Sequence, residues 1–393
     1  MAGNPKYQGE KIIKDYGKLS FDYVPEVLVH REAQLQRLQT IFKPVLHGVR
    51  RTALLLGSVG TGKTVTAKRF CQNITSEGTL AGINITSLLI NCREKRSEHA
   101  VLHAINSFFN PGCPDRGLAP EEFLRSIRRS LEERKLHMII VLDEADEILR
   151  RGADDLIYVL TRFNEEFCQD YSLSLILISQ RYLLDQLDKS ALSTFCKANI
   201  VSFERYDAAE LRDIVLSRID LAFYPGTVEE ECIDLIAESS ADWGDARFAM
   251  ELLETSALIA EERRLSGVTP ECVREAKNMT CSDGSYETKL SKMDYNHKLV
   301  LLSICRSIGR SAYTTSIATE NAYKIASEEC KTAAKGTTTF WKYLKDLAKD
   351  GWIEQKVITD PNGSGGRTTC IYISDFPIGE LRYIIEKEFN LTI

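Results

Sequence analysis

Gly57-Ser-Val-Gly-Thr-Gly-Lys-Thr64 decides the reading of this 393-residue chain. It is a complete G-x-x-x-x-G-K-[ST] loop. Ahead of it, Thr52–Leu56 is a short apolar run suited to a buried strand. Behind it, Lys63–Ile74 sets Val65, Phe70 and Ile74 near one face of a helix. Strand, glycine loop and helix together form the context in which this pattern cradles a polyphosphate. The glycines let the backbone wrap the anion, and the N–H groups at the helix start meet it where the dipole is positive. The candidate nucleotide-binding residues are therefore Gly57, Ser58, Val59, Gly60, Thr61, Gly62, Lys63 and Thr64. Lys63 is expected to reach the outer phosphates and Thr64 to hold Mg²⁺.

A second motif, Met138-Ile-Ile-Val-Leu-Asp-Glu-Ala-Asp146, completes the site. Five apolar residues suit a central parallel strand covered on both faces. A carboxylate at the C-terminal edge of such a strand can bind Mg²⁺ through water, which is the role read for Asp143. The next one, Glu144, can polarise the attacking water. An ordinary strand ending in an acidic helix cap would look the same alone; beside the phosphate loop, the nucleoside triphosphatase reading prevails.

The chain is longer than one core usually supports, so two or three domains are expected. Hydrophobic content of 44% and charged content of 27% are those of a soluble globular protein. No run of eighteen apolar residues argues for a membrane span, and Met1-Ala-Gly-Asn-Pro-Lys6 lacks the apolar core of a signal peptide. The eleven cysteines form no C-x-x-C pair and no cluster with histidine. Reduced, buried thiols in a cytoplasmic protein are expected, and no zinc site. Net charge is −6, but Ser291–Ile393 carries +2 and the rest −8. A mildly basic C-terminal part on an acidic body permits DNA contact without requiring it.

Residues 1 to about 20 read as a polar arm whose Lys6, Lys11, Lys14 and Lys18 are solvated or touch phosphate. A helix is expected over Arg31–His47. Strands are expected at Thr52–Leu56, Ser87–Asn91, Met138–Leu142, Leu173–Ser179 and Ile200–Phe203, alternating with amphipathic segments. That alternation predicts an α/β fold with a doubly wound parallel sheet. From Tyr206 the pattern is all helical: Asp207–Phe223, Val228–Ala241, Asp245–Arg264 and Pro270–Met279. The C-terminal part predicts helices over Asn296–Ile308, Glu320–Cys330 and Thr338–Asp350. Thr337 is read as the cap of the third and Gly351 as its stop. Phe340, Leu344 and Leu347 share one face of it; Thr338, Lys342, Lys345 and Lys349 share the other. Two strands, Trp352–Ile358 and Thr368–Ser374, flank a glycine-rich turn ending at Arg367. Three helices and a two-stranded wing form a winged helix, whose third helix enters the major groove. Thr338, Lys342, Lys345 and Arg367 are the candidate DNA contacts there.

With these parts laid out, the chain resembles the archaeal origin-recognition initiators of the AAA+ class, relatives of the eukaryotic origin-recognition and helicase-loader ATPases. The resemblance rests on Tyr23-Val-Pro-Glu26 and His30-Arg-Glu32, the phosphate loop, and Leu142-Asp-Glu-Ala-Asp146. It also rests on Tyr206-Asp-Ala-Ala-Glu-Leu-Arg-Asp-Ile214 and Gly244-Asp-Ala-Arg247. It implies an AAA+ domain with an N-terminal arm over 1–205, a helical lid over 206–283 and a winged helix over 291–393. It implies ATP/ADP with Mg²⁺ and slow hydrolysis as a switch. The partners it implies are duplex origin DNA, other initiator paralogues and the replicative helicase. Residue by residue, it places Val24 and Pro25 beside the adenine, and Tyr206 and Arg218 along the nucleotide. Arg247 becomes the lid sensor of the γ-phosphate. An inserted segment, Pro111–Leu118, would touch DNA through Arg116. Two departures stand out. Gln180 occupies the place where the family has an Asn that orients the attacking water. The arginine-finger position falls on Ser190, beside Lys189, with no Arg near. A finger is worth several powers of ten in rate, so slow hydrolysis is expected. A different class of function fits the same parts: a signalling or regulatory ATPase whose winged helix mediates protein contacts.

Overall fold

The computed structural model describes residues 11–114, 117–150, 154–163, 170–180, 199–241, 243–280, 289–309, 311–359, 367–373, 376, 378–389 and 391. The chain divides into two compact units. One is Val24–Ser58 with Gly62–Phe203. The other is Met1–Tyr23 and Val59–Thr61 with Glu204–Ile393.

The first unit is a five-stranded parallel sheet and its helices. In chain order these are α1 (Glu32–Phe42), β1 (Thr52–Gly57), α2 (Lys63–Leu80), β2 (Ile85–Asn91), α3 (Glu98–Phe109) and α4 (Pro120–Glu133). β3 (His137–Asp143), α5 (Asp146–Leu149), α6 (Asp154–Thr161), β4 (Ser172–Ser179) and β5 (Ile200–Phe203) follow. The strand order is β2-β3-β4-β1-β5, all parallel. Every residue of β1, β3 and β4 is buried. Ile139 and Val141 pack with Phe42, Phe70 and Ile74 of α1 and α2, while Met138, Ile140 and Leu142 are buried on the opposite side of the strand. A strand covered on both faces explains the unbroken apolar run. The helix expected over Arg31–His47 stops at Phe42 and continues as a 3₁₀ turn, Lys43–His47. Pro44 is the reason, because its ring has no N–H to give and clashes with the preceding turn.

In the second unit four helices follow Phe203: α7 (Ala208–Ala222), α8 (Glu230–Ala241), α9 (Ala246–Glu262) and α10 (Pro270–Thr280). Asp207 caps α7, accepting from Glu210 N while Glu210 reaches back to the Asp207 N–H. The structure departs from the expected solvated arm here. Ile12, Ile13 and Leu19 are buried in the core of these helices with Val215, Phe223 and Leu253. Ile13 bridges to Phe223. The apolar pair between Lys11 and Lys14 drives that docking, and the two lysines stay exposed. Residues 11–23 thus belong with the lid helices and not with the sheet.

The C-terminal part holds α11 (Tyr295–Ile308), β6 (Thr314–Thr315), α12 (Ser316–Glu329), α13 (Thr337–Lys349), β7 (Glu354–Thr359), β8 (Arg367–Tyr372) and α14 (Ile378–Glu388). The three strands pair antiparallel in the order β6-β8-β7. With the helices, this is a winged helix extended by α14. Phe340, Leu344 and Leu347 are buried, each contributing about 1.5–3 kcal/mol of burial. Thr337 is not the cap of α13 but its first residue; Gly336 precedes it, and the Thr337 hydroxyl donates to Glu320 at 2.9 Å. Gly351 ends the helix at φ +80°, with the Trp352 N–H on Leu347 O at 2.9 Å. Among the described residues no helix is long and apolar enough to cross a membrane. The eight described cysteines form no disulfide.

Candidate nucleotide site and nucleic-acid interface

The parallel register brings the ends of β1, β3 and β4 to one edge. Leu142 pairs with Leu177, and Leu56 with Ser179, so Gly57, Asp143 and Gln180 all emerge at the C-terminal rim. Ligands of open α/β sheets bind there. Gly62 sits at φ +86° as the N-cap of α2 and offers no side-chain cap. A helix start of this kind favours an anion at its first-turn N–H groups. Gly60 is also left-handed, at φ +72°, a backbone that a side chain would strain. Lys63 is buried, and its Nζ donates to the carbonyls of Gly57 at 2.8 Å and Ser58 at 2.5 Å. Val59, Gly60 and Thr61, the crest of the loop, group with the other unit.

The two residues expected to share a metal ion meet. Thr64 Oγ1 donates to Asp143 Oδ2 at 2.8 Å. The other carboxylate oxygen of Asp143 accepts the Glu144 N–H at 3.0 Å. That bond holds Glu144 in a left-handed turn, φ +54°. One turn on, the buried Asp146 accepts from Ser179 Oγ at 3.1 Å, tying the β3 and β4 ends together. Cys92 lies against this acidic rim; burial first, then the charges of Asp143 and Asp146, push its thiol up to about 12. It is therefore an inert packing thiol. Gln180 follows β4 and is half-buried.

Sequence reasoning missed two contacts of this unit. Arg93, just past β2, pairs with Glu144, Nε to Oε2 at 3.0 Å. Arg69 of α2 donates to the carbonyl of Pro25, through Nε at 2.9 Å and through a second guanidinium nitrogen. Neither has a sequence signal, because each joins residues about fifty apart. Val24 and Pro25 are half-buried.

The residues assigned to the lid by resemblance sit in the second unit. Tyr206 is buried in the lid core and its N–H faces Gly244 O at 3.4 Å. Arg218 donates to Lys18 O and lies over the Tyr23 ring, 5.2 Å from its centroid. Burial pulls its guanidinium below the ordinary value, against the influence of Tyr23. Arg247 is exposed in the first turn of α9, where Asp245 accepts its N–H at 2.7 Å.

On α13, Thr338, Lys342, Lys345 and Lys349 are all exposed, opposite the buried apolar stripe. Arg367 starts β8 and pairs with Thr359. Arg116, Lys189 and Ser190 lie outside the described residues. α4 does begin at Pro120, and Glu122 accepts the Ala119 N–H at 2.8 Å.

A parallel sheet in the order 2-3-4-1-5, a phosphate loop after β1, an acidic end to β3, a helical lid and a C-terminal winged helix define an AAA+ ATPase of the ORC/Cdc6 kind. Family models agree: an AAA domain matches residues 47–187 and a Cdc6 AAA+ ATPase-type lid domain matches residues 212–278. The ORC1-type DNA replication protein 1 of Aeropyrum pernix is 34% identical over 298 residues, 75% of each chain. That of Sulfurisphaera tokodaii is 31% identical over 387 residues, 97% of this chain and 95% of its own. The chain belongs to the family of ORC1-type DNA replication proteins. Among solved structures, the Aeropyrum pernix ORC1 protein in complex with DNA matches with a TM-score of 0.64 and 28% identity. That match covers 96% of this chain and 97% of the other. Cdc6p from Pyrobaculum aerophilum matches with a TM-score of 0.62 and 28% identity, over 96% and 99%.

Proposed function

We propose that this chain is a replication initiator that binds duplex origin DNA and uses ATP as a slow switch. The observation that carries the nucleotide part is the pairing of Thr64 with Asp143 at the end of the phosphate loop. Thr64 would hold Mg²⁺ by its hydroxyl and Asp143 through a bound water. Their side chains already meet at the rim, Thr64 Oγ1 donating to Asp143 Oδ2 at 2.8 Å. Held by these two residues, the ion would supply positive charge against the phosphates. Gly57–Thr64 would wrap the phosphates, and Lys63 would exchange its two loop carbonyls for phosphate oxygens. Glu144 would take up a proton from the attacking water, and Gln180 would orient that water. Val24 and Pro25 beside the base, Tyr206 and Arg218 along the nucleotide, and Arg247 as sensor are assigned from the resemblance alone. A long Gln arm at 180 and a finger position without Arg support slow turnover.

DNA binding rests on family membership, on the DNA complex of the Aeropyrum pernix relative, and on the exposed lysine stripe of α13. Thr338, Lys342, Lys345 and Arg367 would meet the duplex from the winged helix, and Arg116 from the AAA+ domain. Other initiators and the replicative helicase would be the further partners. A mobility shift on origin and random duplex, with ATP and with ADP, tests this. We expect origin binding that weakens with salt. No shift in either nucleotide state at low salt overturns it. Binding that survives charge reversal of Lys342, Lys345 and Arg367 would remove the winged helix as reader and leave it a protein-contact module.

A further inference from the structure

The turn between α12 and α13 is built, residue by residue, on α12. The helix closes with the Lys331 N–H on Glu328 O at 3.0 Å and the Thr332 N–H on Ser327 O at 2.9 Å. In that pairing the residue after the cap turns left-handed, a place glycine takes without strain. α13 ends by the same pairing with Gly351 in that place; α12 has Lys331, at φ +52°. The chain then crosses to α13 along one face of α12. Ser327, Tyr323 and Glu320 share that face, and they receive the turn in reverse order. The Thr332 N–H is on Ser327 O, the Lys335 N–H is on the Tyr323 hydroxyl at 3.2 Å, and the Thr337 hydroxyl is on Glu320 at 2.9 Å. Tyr323 is buried with its ring centroid 5.4 Å from that of Phe340 in α13, so its hydroxyl is a fixed acceptor.

Every residue from 331 to 338 is nevertheless exposed, and two are lysines. Lys324 of α12 is paired with Glu320 at 3.5 Å. Lys331 and Lys335 have no ion-pair partner among the described residues. Lys135 and Arg264 hold the same left-handed place after α4 and α9, where positive charge at a helix end is favourable in itself. Lys331 differs in its company: Lys335 shares its turn, and Thr338, Lys342 and Lys345 continue the exposed series into α13. An ordered backbone carrying unpaired ammonium groups beside a recognition helix suits phosphates, which position a duplex without reporting its sequence.

We propose that the turn 331–336 grips the DNA backbone beside the groove that α13 enters, with Lys331 and Lys335 each on a phosphate and Tyr323 as the positioning residue. This rests on the DNA reading above. A turn ordered before the duplex arrives spares binding the entropy of ordering it. Loss of a lysine removes a phosphate contact and lowers the salt dependence. Loss of the Tyr323 hydroxyl keeps both contacts and lowers affinity alone.

The test is fluorescence anisotropy of the full chain on labelled origin and random duplexes over a range of salt, with thermal denaturation of each variant. Lys331→Gly with Lys335→Ala should shrink the log–log salt slope by about 2 and weaken both duplexes equally. Lys331→Gly alone should melt at or above wild type, because glycine relieves the left-handed backbone, yet bind more weakly. Tyr323→Phe should lose about two- to tenfold in affinity with the slope unchanged, and its Lys335 amide should exchange faster. Lys292→Ala with Lys387→Ala removes as much charge from exposed sites of the same domain and should keep the wild-type slope. An unchanged slope in the lysine double variant overturns the proposal, as does an equal drop in the control pair. A loss confined to the origin duplex overturns it too, since that marks base reading, and so does weaker binding that only tracks earlier melting. Wild-type affinity in Tyr323→Phe removes the positioning role; if that variant fails to fold, the lysine variants decide. A wild-type chain that binds neither duplex at low salt overturns the DNA reading itself, whereas wild-type binding with an intact slope in the double variant overturns this inference alone.

Discussion

The rim of the parallel sheet and the outer face of α13 are built on opposite plans. At the rim, side chains hold one another: Lys63 on loop carbonyls, Thr64 on Asp143, Glu144 on Arg93, Ser179 on Asp146. On α13, Thr338, Lys342, Lys345 and Lys349 stand in solvent. The first plan suits chemistry, where groups must be in place before the reaction. The second suits a polyanion, where affinity comes from summed charge and tolerates loose geometry. Single substitutions should therefore act steeply at the rim and gradually on the helix.

The steepest expected effect is Glu144→Gln. The amide keeps the size but cannot take a proton. Single-turnover ATP hydrolysis should drop by about 10²–10⁴-fold, while nucleotide affinity measured by calorimetry stays near wild type. Undiminished turnover would show that the rim binds without catalysing through Glu144, and the comparison would lose its first half.

Next in size is the double charge reversal Lys342→Glu with Lys345→Glu. Each lost phosphate contact lowers the log–log salt slope by about 0.9, so the slope should shrink by about 2. Affinity at low salt should fall much more than affinity at high salt, as fluorescence anisotropy on a labelled duplex would record. Equal losses at all salt concentrations would mean that α13 holds DNA by fitted contacts, and the two regions would be alike after all.

How far each region was legible follows from the same difference. The phosphate loop and Leu142–Asp146 are short patterns whose residues touch because the chain is tight there or the strands register. The lysine stripe was visible because helical period alone separates Lys342 and Lys345 from Phe340 and Leu344. What stayed hidden joins distant residues. Nothing in the sequence puts Arg93 on Glu144 or Glu261 on Ile12. β6, two residues long, has no period to read. Other misses had signals: Pro44 inside the expected first helix, the apolar pair Ile12-Ile13 among lysines, and Ile378, Leu381 and Ile385 at helical spacing in α14.

Gly351 tests whether α13 needs rigid support beneath its loose surface. At φ +80°, an alanine would cost about 1–2 kcal/mol of left-handed strain. Thermal denaturation of Gly351→Ala should show the winged helix melting earlier. DNA affinity well below the melting range should hold, because charge and not precise placement carries it. A collapse of affinity without unfolding would bring α13 closer to the sheet rim in character.

The smallest effect is expected where the rim itself is solvent-facing. The Arg93 side chain is 62% exposed, so its pair with Glu144 reaches into water. Such pairs are worth about 0.2–1 kcal/mol. If Glu144 has the proposed role, removing the pair frees it to turn toward the attacking water, so Arg93→Ala should speed single-turnover hydrolysis by up to about fivefold. The double variant Arg93→Ala with Glu144→Gln should be as slow as Glu144→Gln alone, because the arginine acts only through that carboxylate. A slower Arg93→Ala enzyme would instead make the pair part of the catalytic arrangement. The rim's plan of mutual holding would then extend to its exposed margin.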